Sequence, residues 1–149
     1  MSFSGGLFFL FMALVAGIAM ALQGAINSAL GKIIGLWETT FLVHLSASIV
    51  LVIMLFLLHT GKGDFNNFSK APWYLYMGGL IGVLITYGVV ISIPKLGAAV
   101  ATTAIIVGQV LTAMAVDHFG LFGLKQVPFS WIKLAGLVLL ATGAKLLLN

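Results

Sequence analysis

Five long apolar runs dominate this chain and leave it little choice of fold. They cover Gly5–Gly31, Thr39–Leu58, Ala71–Pro94, Leu96–Val116 and Pro128–Leu148. A helix of about 20 predominantly apolar residues crosses the hydrocarbon core of a bilayer. Charged residues make up 7% of the chain, against about 25% in soluble domains, so water is not its only solvent. The expectation is an all-α integral membrane protein. Its single domain, residues 1–149, holds five transmembrane helices at about 5–31, 37–58, 72–94, 96–117 and 128–148. Lys133 and Lys145, near the ends of the last run, reach the headgroups on their long stems. The first run lacks the positive leader of a signal peptide and is too long and glycine-rich for one.

The punctuation between runs agrees. "GKIIGLWETT" closes the first helix at glycines, with Trp37 as an interfacial anchor. "TGKGDFNNFSKAPW" separates the second and third, and Pro72 opens the third. "IPKLG" is a very short link, which predicts an antiparallel hairpin of the third and fourth helices. Small residues recur at every fourth position, as in Ala13, Gly17, Ala21, Ala25 and Ala29, or Gly78, Gly82 and Thr86. Such stripes let helices approach closely in lipid.

Composition excludes several chemistries. There is no cysteine, hence no disulfide and no thiolate chemistry. No paired carboxylates, phosphate loop or nucleophile–base pair stands out, and three histidines on separate segments do not make a zinc site. Neither an enzyme nor a bound cofactor or metal is expected. The net charge of +4 comes from lysines without arginine, and it reads as membrane anchoring rather than nucleic-acid binding. Lys62, Lys70, Lys125 and Lys133 fall on one side of the membrane, and Lys32, Lys95 and Lys145 on the other. The Lys/Arg bias that orients membrane proteins is therefore nearly balanced. Both orientations are then open to the chain, and two opposed copies recreate the inverted repeats of many transporters. A fixed orientation set by weaker cues is the alternative.

The polar residues inside the runs are the functional candidates. On a helical wheel Gln23 and Asn27 share a face with Ala16, Met20 and Gly24, opposite Val15, Ile18, Leu22 and Ile26. Thr102 and Gln109 share a face with Ala98 and Ala113, while Val107, Val110, Leu111 and Met114 are expected to look outward. Gln109 lies near the midplane, where opposed copies meet at equal depth. Gln23, Asn27, Thr102 and Gln109 either line a solute site or act as interhelical glue. Glu38 opens the second helix, where a carboxylate suits the helix N-terminus. His44 lies about 9 Å deeper at 1.5 Å per residue. Both are candidates for proton coupling. Asp117 is expected to cap the turn after the fourth helix rather than to gate a pathway. Trp73, Tyr76 and Tyr87 offer cation–π contacts but fit the interfacial belt as well.

"LQGAINSALGK", "GQVLTAMAVDHFGLFG" and "GGLIGVLITYGVVISIPKLGAA" resemble the YdcZ-like bacterial branch of the drug/metabolite transporter superfamily. The resemblance covers nearly the whole chain. It departs from the family's pattern at "ALGK", where arginines are common. It implies a half-sized transporter unit in the bacterial cytoplasmic (inner) membrane. Such a unit pairs with itself in opposite orientation or with a homologous five-helix partner, and carries a small metabolite or drug-like molecule by alternating access. The rival readings are an antiparallel-dimer ion channel and a non-transporting subunit of a membrane complex.

Overall fold

The computed structural model describes residues 3–147, and among these the secondary structure is entirely helical. The helices are α1 (Phe3–Ile34), α2 (Leu36–Val52), α3 (Gly78–Leu96), α4 (Ala98–Phe119) and α5 (Trp131–Leu146). The chain forms two compact units, Met1–Ile91 and Ser92–Asn149. Among the described residues four segments are long and apolar enough to cross a membrane: Gly6–Ile34, Leu36–Leu57, Trp73–Leu96 and Ala98–Phe119. The fifth helix has 16 residues. At 1.5 Å per residue it is about 24 Å long, short of the ~30 Å hydrocarbon core. Leu148, the expected end of that helix, lies outside the described residues.

In the first unit α1 packs against α2. A single residue, Gly35, separates them, with φ 105° and ψ 160°. That conformation is essentially restricted to glycine. The hydrogen bonds of both helices run up to it: Gly35 N donates to Gly31 O, and Thr39 N to Gly35 O. Gly97 joins α3 to α4 in the same way, with φ 83° and ψ 155°. Its N–H donates to Ile93 O, and Ala101 N donates to Gly97 O. The sequence placed the end of the third helix at Pro94, but α3 continues through it to Leu96. A proline there removes one helical bond close to the helix end, whereas the positive φ at Gly97 breaks the helical path outright.

Gly31, on α1, meets both neighbours. A β-carbon added there would lie 2.6 Å from Val90 Cγ1 of α3 and 3.7 Å from Thr39 Oγ1 of α2. Val90 is buried to 3% exposure. Trp37 and Tyr87 pack with ring centroids 4.6 Å apart and planes tilted by 37°, so α3 also holds the start of α2. The far end of α2 passes into a π-helical turn, Ile53–Leu57. Widening to i→i+5 bonding leaves the Met54 carbonyl outside the α-helical ladder, and both Thr60 N and Thr60 Oγ1 bond to it.

The long connection before α3 is less open than its composition suggests. Asp64 caps a 3₁₀ turn, Phe65–Lys70, by accepting from Asn66 N. Tyr76 Oη donates to Phe68 O, and the two rings lie 4.5 Å apart. Pro72 precedes a second 3₁₀ turn, Trp73–Met77, which leads into α3.

In the second unit α4 packs against α5. The connection folds back over the end of α4. Val127 N donates to Asp117 O, Gln126 Nε2 to His118 O, and Phe129 N to His118 Nδ1. Ser130 then caps α5 by accepting from Lys133 N.

Candidate functional site

The candidate residues divide between the two units, and each set answers to its own neighbours. In the first unit the buried polar side chains lie on α1 and α2: Asn27, Ser28, Thr39 and Thr40. The covered stripe of α1 is Gly24, Asn27 and Ser28, positions that share a helix face at spacings of three and four. Gln23 sits about 40° from Asn27 on the wheel and is exposed. The two amides therefore have different environments, although the sequence placed them together. Val15, Ile18, Leu22 and Ile26 are all exposed, but so are Ala16, Met20 and Gln23 of the opposite face, so exposure separates the two faces only from Gly24 onward.

Thr40 Oγ1 donates to Leu36 O. Thr39 Oγ1 is fully buried and has no hydrogen-bond partner. An unsatisfied buried hydroxyl costs roughly 1–3 kcal/mol, so this seam holds its helices together at a local cost.

Glu38 and His44 have distinct surroundings. The Glu38 carboxylate is exposed and folds back over Gly35, where any added β-carbon would collide with it. It lies in the first turn of α2, where the helix dipole favours an anion. His44 is half-buried, and its Nε2 lies 3.3 Å from Thr86 Oγ1 of α3. Gly82 makes room for the ring: a β-carbon there would sit 3.2 Å from His44 Cε1. Gly82, Thr86 and Val90 thus form the contact face of α3, at the four-residue step visible in the sequence.

In the second unit Gln109 lies in an open groove of about 570 Å³ on α4, lined by Gly108, Gln109, Thr112, Ala113, Val116, Asp117 and Leu124. Thr102 is not among these; it lies about 10 Å back along the helix and is half-buried. The expectation that Val107, Val110 and Met114 look outward is corrected. All three are half-buried, and Met114 lines the cleft that α4 forms with Leu134 and Leu137 of α5. Only Leu111 is exposed as expected. The reason is that α5 settles on the aliphatic side of α4 and leaves the Gln109 side open.

Two groove residues escaped the sequence reading. Thr112 was not singled out from the sequence as a candidate, although its step of three from Gln109 marks the shared face. Asp117 was assigned to capping. The turn is closed instead by its backbone carbonyl, which accepts from Gly120 N and Val127 N. The half-buried Asp117 residue meanwhile borders the groove. The described residues contain no cluster of His, Cys, Asp or Glu able to hold a metal ion.

A family model described as "Putative inner membrane exporter, YdcZ" matches residues 8–146. No curated protein and no solved structure matches the chain.

Proposed function

Because the chain belongs to the YdcZ family, and is thus a multi-pass inner-membrane protein of the transporter class, we propose that it is half of an alternating-access transporter for a small molecule. The second half is another copy in opposite orientation, or a homologous five-helix partner. In this reading α5 completes five crossings, Gln23, Thr102 and Gln109 contribute to the solute path, and Asn27 serves the covered stripe of α1.

One observation carries the proposal. Gln109 is exposed in the middle of a span long and apolar enough to cross a membrane. An amide facing hydrocarbon is costly, so such a face calls for a partner or a polar solute. Exposure of the α1 stripe Ala13, Gly17 and Ala21 supports the same reading, because small-residue stripes are helix–helix contact surfaces in lipid. Two copies of opposite orientation supply the pseudo-symmetry on which alternating access is commonly built.

Single cysteines in the 2–3 connection of this cysteine-free chain provide the test. Opposed copies predict labelling from both sides of the membrane. Labelling from one side only would eliminate the homodimer and leave a separate partner. Lysines added to one side should fix the orientation and abolish flux when the chain is expressed alone. Saturable flux in liposomes identifies a transporter, and fast ohmic flux would identify a channel instead.

A further inference from the structure

We infer that the α4 groove seats an elongated amphiphilic organic cation, with the Asp117 carboxylate as its counter-charge. The inference deepens the transporter reading and rests on it for the passage of the solute, although binding itself does not require transport.

The argument begins with the unused carboxylate. Asp117 borders the groove, and its capping bonds are made by the backbone carbonyl. Among the described residues no cation pairs with it. Lys133 Nζ donates to Pro128 O, and the neighbouring imidazole of His118 is engaged by Phe129 N. Lys125 follows Leu124 and is exposed. Asp117 also stands in the last turn of α4, which ends at Phe119. The negative end of the helix dipole disfavours an anion there. A cation in the groove offsets both the unpaired charge and the dipole.

Distance then decides the kind of cation. Gln109 and Asp117 are eight residues apart, or about 12 Å along the helix. Thr112 and Asp117 are about 7.5 Å apart along the axis and about 140° apart around it. A hard metal cation holds its oxygen ligands at roughly 2.3–2.6 Å, so no single inorganic ion uses both ends of this groove. Between the polar ends the wall consists of Ala113 and Val116, with Leu124 alongside. That lining fits an ammonium head at Asp117, an apolar body over Val116 and Ala113, and a polar tip at Thr112 or Gln109. The groove volume of about 570 Å³ falls in the range of small-molecule sites, about 300–1,000 Å³.

Heptylammonium and octanoate carry the same alkyl chain with opposite charge, and calorimetric titration of the full chain in nanodiscs compares them. Empty nanodiscs measure partition into lipid. Saturable binding of heptylammonium above that background is expected, with none of octanoate. Asp117→Asn should weaken the cation by about tenfold or more, a change of 1.4 kcal/mol, and Asp117→Glu should retain it. Val116→Trp should weaken binding by filling the apolar stretch while Asp117 is intact, which decides the matter should Asp117→Asn fail to fold. Absent heptylammonium binding, equal binding of octanoate, or unchanged affinity in Asp117→Asn overturns the inference. Displacement of the probe by sodium chloride but not by potassium chloride overturns it too, in favour of an inorganic ion. Asp117-dependent binding without flux would leave the inference standing and end the transporter reading. Saturable flux of neutral solutes, without cation binding, would do the reverse.

Discussion

Thr86 Oγ1 of α3 stands 3.3 Å from His44 Nε2 of α2, in the space that Gly82 leaves open. This contact joins the membrane-embedded histidine to the neighbouring helix. Removing it with Thr86→Val should lower thermal stability by about 0.6 kcal/mol, the average for a hydrogen bond between membrane helices. If the imidazole also carries protons, His44→Gln should change the pH dependence of flux in proteoliposomes. Glu38→Gln tests the other candidate on α2. Parental pH profiles in both variants would remove proton coupling from this helix.

Gly31 and Val90 should be energetically coupled. A methyl group on Gly31 falls 2.6 Å from Val90 Cγ1, so Gly31→Ala overpacks the seam at a cost of about 1–3 kcal/mol. Val90→Ala in the same chain should recover part of the loss. A double-mutant cycle on unfolding reads the coupling; additive effects would show that the seam relaxes without strain.

Gly35→Ala and Gly97→Ala should each cost about 1–3 kcal/mol, because a side chain is strained at these backbone angles. Glu38→Ala, combined with Gly35→Ala, should relieve the collision with the carboxylate and leave the backbone strain. Melting temperatures of the three variants in detergent separate the two contributions.

Thr39→Val retains the shape of a buried side chain and removes its unpartnered hydroxyl. The variant should match the parent in stability or exceed it by up to about 1–3 kcal/mol. A clear loss of stability would show that the hydroxyl is bonded in the membrane.

Asn27 and Gln109 should part ways under alanine substitution. Asn27 is 8% exposed on the covered stripe of α1, and Asn27→Ala should lower stability more than solute affinity. Gln109 lies in the α4 groove, and Gln109→Ala should weaken solute binding with little effect on melting. Measuring both properties in both variants settles each role, and identical behaviour would contradict the assignment.

By itself the sequence determined the helical character and located the breaks at Gly35 and Gly97 to within a few residues, because backbone bonding is local. It did not fix every boundary: α3 runs through Pro94, and the last apolar run yields a helix of only 16 residues. It did determine the four-residue step of Gly82 and Thr86 on α3. Only the tertiary structure decided which faces are covered. Gln23 and Asn27 differ by about 40° on one wheel, yet one is exposed and the other buried. Val107, Val110 and Met114 looked like a lipid face and proved half-buried. Asp117 caps through its carbonyl, which no residue pattern reveals. The physical reason is the solvent. Lipid tails are as apolar as leucine and supply no hydrophobic driving force between helices, so an aliphatic face suits a neighbouring helix and the bilayer alike. The choice between them falls to shape and to close approach at small residues, and those exist only once the helices are packed.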